Sequence, residues 1–512
     1  MFLPYFSIVC VIIATTIYLY YKWAFSYWKK KCVPFVEPKI PFGNVQNVIT
    51  SQQMYVGIHL KHGYDIFKDQ GQVHGGSYLI CSPRYIPVDL KIIKSILQQD
   101  FNYFTDRGFY YNEKDDPLSA NLFSLGGERW RSLRSKLSPA FSSAKLKIMF
   151  DPLLVCADRL NDAIVNLESK GGIIDASTLS INYSISVIAL CAFGVDCDCF
   201  KYPNSEFVQF GRRTFDYSSW LRRFKMTFAF AMPNLALLLG VKVFGRDYTN
   251  FFTEIVEKTI SFRETTKTTR KDLIQLLIDL KNDVGGDLSE EERTHWQKGA
   301  TLEELAAQVF IFFAAGFETS STTFSFCLYE LAQNLEIQSR LREEIEEVLI
   351  ESRGSITYEA ISNMKYANQV IEETLRKYPP VSFIGRKCER PYRIPGTDVV
   401  LDQGTYIDIS VLGIHHDREY YPDPEKFDPE RFSDEGKKLR NLTAYLPFGV
   451  GPRICIGQRF AMMQLKVGLI AILQHYEIFL NARTKIPMEY EPYSFTLTPK
   501  ENIILNIRRK ET

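Results

Sequence analysis

The chain has almost no net charge: 61 Lys and Arg stand against 60 Asp and Glu, a formal +1 over 512 residues. A polyanion binder needs a basic excess on at least one domain, so no nucleic-acid partner is expected. Ten cysteines are too few and too irregularly spaced for a disulfide scaffold. The close pair Cys197 and Cys199 has no matching second pair and no nearby histidines, and it reads as two buried thiols. No G-x-G-x-x-G follows a strand and no G-x-x-x-x-G-K-[ST] occurs anywhere, so both nucleotide-binding fingerprints are missing. Low-complexity segments, internal repeats and regular βαβ alternation are absent too, which removes disorder and a doubly wound sheet from consideration. What remains is 46% hydrophobic and 24% charged, the balance of a packed globular protein.

One long apolar run is present, and it lies at the start. Phe2 to Tyr21 carries no charged side chain, and as a helix it spans about 30 Å, the thickness of a bilayer core. Lys22, Lys29, Lys30 and Lys31 follow it while no Lys or Arg precedes it, which orients the bulk of the chain to the cytoplasmic side. A cleaved signal peptide has the reverse charge order and small residues after the run. Trp23, Tyr27 and Trp28 stand where interfacial aromatics belong. Pro34, Pro38 and Pro41 then form a semi-rigid spacer. The expected organisation is an anchor over 1–31, a spacer over 32–45 and one large domain over 46–512. The sequons at Asn182 and Asn441 should stay unmodified on that topology.

The large domain is expected to be mainly α with a minor β region. The longest helical pattern runs from Leu302 to about Asn334, and its middle is apolar all round, as in a core helix. An amphipathic helix follows at Gln338–Glu351. Strand-like runs are short, at 399–401, 405–411, 495–498 and 503–507.

The decisive stretch runs from Phe448 to Gly457, with Gly449, Gly451, Arg453 and Cys455 between them. It places a cysteine in a glycine-rich loop that opens directly into an apolar helix. Helix N-termini and nearby cations stabilise thiolates. Glycines let a flat ligand approach and let backbone N–H groups point at sulfur, and an arginine offers a forked donor to a carboxylate. A chance match to five fixed positions is on the order of 10⁻⁴ or less in a chain of this length. A thiolate, an arginine and the aromatic lid of Phe448 are the parts that hold haem through sulfur.

With these residues the chain resembles the cytochrome P-450 family, whose signature reads F-x-x-G-x-R-x-C-x-G. The resemblance covers nearly everything after the spacer and is closest to insect microsomal members that oxidise xenobiotics. It implies one large domain of that fold with haem b bound through axial Cys455. Glu373-Thr-Leu-Arg376 matches the family's structural E-x-x-R pair and Pro429-Glu-Arg431-Phe432 its partner, whereas Glu128-Arg-Trp-Arg131 has the same spacing by accident. Ala314-Ala-Gly316-Phe-Glu318-Thr319 is similar to A-G-x-[DE]-T, which makes Glu318 and Thr319 the expected proton-relay pair. The small residues at 314–316 are expected to let the cofactor lie against the helix. Trp130 and Arg134, in W-x-x-x-R, join Arg107, Arg386 and Arg453 as expected contacts of the haem propionates.

The resemblance also implies a lipophilic substrate, O₂, and electrons from an NADPH–cytochrome P-450 reductase, with cytochrome b5 as a further donor. Basic residues over Arg129–Lys147, opposed in sequence only by Glu128, suit docking of an acidic flavoprotein. Substrate contacts are expected in Phe109–Asn121, Phe207–Trp220, Ala306–Thr319, Val381–Gly385 and Ser494–Thr496, with Phe109, Phe313, Phe383 and Phe495 lining an apolar pocket. Residues 232–240 suit either a second membrane contact or a buried helix. The expected location is the endoplasmic reticulum membrane. Rival functions are a haem-thiolate isomerase of peroxides, against which Glu318 and Thr319 speak, and a non-catalytic haem sensor, for which no output module is visible.

Overall fold

A computed structural model of the chain describes residues 2–44, 55–282 and 300–510. The expected boundary at 45/46 and the last two residues of the expected domain lie outside them.

The long central helix runs Leu302–Gln333. Thr301 starts it with a capping box: its hydroxyl accepts from Glu304 N at 3.2 Å, and Glu304 Oε2 accepts from Thr301 N at 2.9 Å. From Leu305 to Ala332 it is buried on nearly every side, packed on the helices Ala176–Ile188 and Arg246–Thr266. The amphipathic helix follows at Leu335–Glu351. The mainly α reading with a minor sheet therefore holds.

Strands are peripheral. β1 (His74–Leu79), β2 (Ser82–Pro87), β7 (Tyr406–Ser410) and β4 (Phe383–Lys387) make one sheet in that order. β3 (Ile173–Asp175), β9 (Ile504–Arg509) and β8 (Tyr476–Leu480) make a second, while β5 (Tyr392–Arg393) and β6 (Val400–Leu401) form a ribbon. Of the expected strands, 495–498 is irregular. The reading missed β1, β2 and β4, whose apolar residues are interleaved with Gly, Pro and charge, and also the short β3, β5 and β8.

The apolar N-terminal helix, a candidate anchor, runs Phe2–Ala24 with its large apolar side chains exposed. Ala176–Phe193 is also long and apolar enough to span a membrane, but most of it lies in the core. Trp23 is exposed as an interfacial residue should be, whereas Trp28 is not interfacial. Its indole is fully buried over Gly76 and donates to Ser77 O at 2.9 Å. Tyr27 reaches Asp402 at 2.9 Å and Lys31 pairs with the same carboxylate at 2.7 Å. The proline segment lies against β1, with Val36 N donating to Gly76 O at 3.1 Å and Gly76 N to Pro34 O at 2.8 Å. Cys197 and Cys199 are free thiols 3.6 Å apart.

Candidate active site

The loop before the helix Gln458–Leu473 is shaped by two glycines in the left-handed region, Gly449 (φ 68°) and Gly451 (φ 74°). Gly451 tolerates nothing larger, because a Cβ there would stand 2.1 Å from Leu97 O. Cys455 N donates to Phe448 O at 2.9 Å and closes the loop. Phe448 is half-buried against the main core. Cys455 is accessible although protein surrounds it, so the residue borders internal space. No atom lies within 4 Å of where a Cβ of Gly457 would be, which leaves the same space open beside it.

Burial pushes the Cys455 thiol up; the N–H groups of Gly457 and Gln458 and the charges of Arg134 and Arg107 pull the other way without offsetting it. The donors expected from the sequence do act on the sulfur, and a cation bound there would favour its thiolate form further.

Four arginines gather around this loop. Arg453 is buried; its guanidinium donates to Thr105 O (2.8 and 3.0 Å), Leu125 O (2.5 Å) and Leu122 O (3.3 Å) and stacks 3.9 Å from the Trp130 ring. Arg107 donates to Phe123 O and Arg453 O at 3.2 and 3.3 Å, and lies 4.3 Å over the Phe123 ring. Arg134, on the helix Gly127–Leu137, donates to Ile454 O at 2.9 Å. Arg386, on β4, reaches only its neighbour's carbonyl, Gly385 O, and its buried Nε has no partner.

Among the described residues none of the four makes an ion pair with a carboxylate. Burial, followed by mutual repulsion for Arg386 and Arg453, lowers Arg453 to about 7 and Arg386 to about 9; burial foremost lowers Arg107 to about 10. Guanidinium holds its proton at physiological pH, so an anion, rather than proton loss, relieves this cluster. Asp106 offsets the charge of Arg386 and Arg453 only in part, and open space beside Cys455, rimmed by arginines without an ion pair among the described residues, fits a flat metal-bearing cofactor with carboxylates.

The long helix presents a narrow accessible stripe at Ile311, Ala315 and Thr319, spaced four apart, in an otherwise buried element. Thr319 Oγ1 donates to Ala315 O at 2.8 Å, as its hydroxyl predicts. The expectation that 314–316 together clear a face for the cofactor needs correction. Ala314 is buried, and a Cβ on Gly316 would meet Ile188 at 2.8 Å, so that half-buried glycine serves helix packing and Ala315 is the exposed one of the three. Glu318 is buried and bonded to Thr496 Oγ1 at 2.9 Å. The structure does not join Glu318 to Thr319 directly.

Five phenylalanines from separate segments meet. Phe109 lies 4.9 Å from Phe123, 5.8 Å from Phe230 and 5.9 Å from Phe495, and Phe383 lies 5.8 Å from Phe495. Phe313 is elsewhere: fully buried among Phe207, Phe252 and Phe317, it belongs to the core. Sequence reasoning missed Phe123 and Phe230, which no motif marks. It also missed Arg84, buried 3.7 Å from Asp408 and 5.4 Å from the Phe230 ring.

The basic segment is less one-sided in space than in sequence. Arg129 pairs with Glu113, and Lys147 with Glu359 at 2.5 Å. Leu237, Leu238 and Leu239 are exposed, as are Trp220 and Phe224, while Ala236 is fully buried. Asn182 is buried in a helix and Asn441 is exposed, so only Asn441 reports on membrane orientation.

A family model for cytochrome P-450 matches residues 65–506. Among curated proteins the chain is 39% identical to cytochrome P-450 6A1 of Musca domestica, over 97% of this chain and 96% of that protein. It is 40% identical to the probable cytochrome P-450 6a14 of Drosophila melanogaster, over 95% and 96%. It is 39% identical to cytochrome P-450 6k1 of Blattella germanica, over 97% and 96%.

Proposed function

The chain belongs to the cytochrome P-450 family, a monooxygenase family that uses haem iron, O₂ and a redox partner, and from that premise we propose that it holds haem b through Cys455 and oxidises a lipophilic substrate at the cytoplasmic face of the endoplasmic reticulum. The observation that carries this reading is the set of four arginines around Cys455, none of which makes an ion pair with a carboxylate among the described residues. The cofactor, when bound, supplies the iron chemistry that activates O₂.

The chain's own residues do the rest. Arg386 has a free donor for a carboxylate, and Arg107, Arg134 and Arg453 add charge around it. Trp130 backs Arg453, and Phe448 covers the sulfur side. Ala315 leaves room beside the Thr319 hydroxyl, and Glu318 stores a proton near neutral pH, since burial raises its carboxyl to about 7. The aromatic group around Phe109 gives the substrate an apolar surface. Electrons are proposed to come from NADPH–cytochrome P-450 reductase, with cytochrome b5 as a further donor, docking near Arg131, Lys136, Lys145 and Lys147. The anchor over 1–31 and the exposed leucines of 237–239 are proposed to face the bilayer, with residues 32–45 leading into a catalytic domain over 46–512.

The test is the carbon monoxide difference spectrum of the reduced membrane protein, for wild type and Cys455→Ser. A strongly red-shifted band in wild type, lost in the variant, is the expected result. An unshifted wild-type band, or a band that survives the substitution, overturns Cys455 as ligand. Turnover that requires reductase separates a monooxygenase from an isomerase working on peroxide alone.

A further inference from the structure

Glu318 turns away from the arginines and toward the irregular segment 494–498. Its Oε1 accepts from Thr496 Oγ1 at 2.9 Å and, more weakly, from Thr498 Oγ1 at 3.4 Å. The two threonine hydroxyls are 2.9 Å apart, and Ser494 Oγ lies 3.2 Å from each. Three hydroxyls within a five-residue segment thus form one group, and two of them bond the buried carboxyl. Ser494 and Thr496 are buried, while Thr498 is half-exposed, so the group leads outward from the core.

The other titratable group facing it is Tyr217, whose hydroxyl accepts from Phe495 N at 3.2 Å. Arg222 acts on Tyr217, and Arg223 stacks 4.2 Å over Tyr493; neither pairs with Glu318. The carboxyl therefore has hydroxyl donors and no counter-cation among the described residues.

We propose that Thr496 and Thr498, supported by Ser494, position Glu318 and carry protons to it from solvent on the side of this segment. This rests on the reading of Glu318 as a proton store and extends it with a route. In the step, Thr496 gives its hydroxyl proton to the Glu318 carboxylate and receives one from Thr498, which receives one from hydronium. One O–H bond forms and one breaks at each hydroxyl, the carboxylate ends protonated, water is left outside, and no electrons move. A chain of two hydroxyls is suited to this because each both donates and accepts.

The experiment uses the full-length, haem-loaded protein. Thr496→Val, Thr498→Val and the double variant are compared with Thr496→Ser, and Glu318→Gln identifies the carboxyl C=O infrared band of Glu318. Valine removes donors to the anion, so the titration midpoint of that band is expected to rise from about 7 by roughly half a pH unit or more. The share of reducing equivalents that reaches product rather than peroxide is expected to fall roughly threefold to tenfold in the double variant. Thr496→Ser should restore both. An unchanged midpoint and unchanged coupling in Thr498→Val and in the double variant overturn the proposal. Loss of the haem band in the double variant leaves the decision to Thr498→Val, at the half-exposed position. Unchanged coupling in Glu318→Gln instead overturns the proton-store reading, so the two failures are distinct.

Discussion

Arg376 and Arg453 are both buried, at 0% and 3% exposure, but the first is neutralised by protein and the second is not. Arg376 makes a two-pronged pair with Glu373, at 2.7 and 2.8 Å, and donates further to His415 O and Pro424 O. Arg431 closes on the same Glu373 at 3.5 Å. Around Arg453 three more arginines gather, and among the described residues no carboxylate pairs with any of them. A buried charge is tolerated when its partner is built in. Where the partner is missing from the chain, the surroundings are prepared for one from outside. On the proposed reading, this one difference separates a fold-holding cluster from a binding cluster.

The strongest way to break this contrast is Glu373→Ala. It strands the buried guanidinium of Arg376 and takes a partner from the half-buried Arg431, and is expected to cost about 3–5 kcal/mol, read as a lower denaturation midpoint and loss of soluble folded protein. A variant as stable as wild type removes the distinction. Arg386→Met should act oppositely on the two states of the protein. The cofactor-free form, rid of an unpaired buried cation, is expected to be no less stable. Haem affinity should fall about 10- to 100-fold, the worth of one or two charge-assisted hydrogen bonds, read by haem titration. Reconstitution with the dimethyl ester of the porphyrin sharpens this further: wild type should bind it more weakly than the free acid, and Arg386→Met should show less of that difference. The smallest effect is expected at Glu128→Gln. Glu128 and Arg131 share the E-x-x-R spacing and stand 2.9 Å apart, but at 68% and 39% side-chain exposure. Their separation should change stability by less than about 0.5 kcal/mol, measured by chemical denaturation.

That last pair also marks what a sequence can and cannot carry. Spacing alone does not tell Glu373–Arg376 from Glu128–Arg131; order relative to Cys455 does, because burial is a property of the whole fold. The loop from Phe448 to Gly457 was legible because its chemistry is local: glycines at positive φ, a cysteine and a helix start lie within ten residues. The long helix was legible from Leu302 to its end through its apolar run, and the structure adds the Thr301–Glu304 cap that starts it. The aromatic group was half legible. Phe123 and Phe230 join Phe109 only by tertiary approach, and Phe313 points into the core because its helix turns that side toward Phe252. Side-chain direction on a buried helix escaped the reading again at Glu318 and Thr319, adjacent in sequence and about 100° apart around the axis.

The indole of Trp28 determines where this chain can be cut. Only Phe25 and Ser26 separate the anchor helix from the turn that carries it, and Gly76 has room for no Cβ because the ring lies within 2.5 Å of where one would be. A soluble version that begins after Ala24 keeps this plug in its seat. One that begins after Lys31, where the run of lysines ends, opens a trough along β1 and exposes Tyr78 and Tyr85, the two tyrosines now sealed at that edge. Seven residues decide whether the shortened protein stays in solution or sticks to itself.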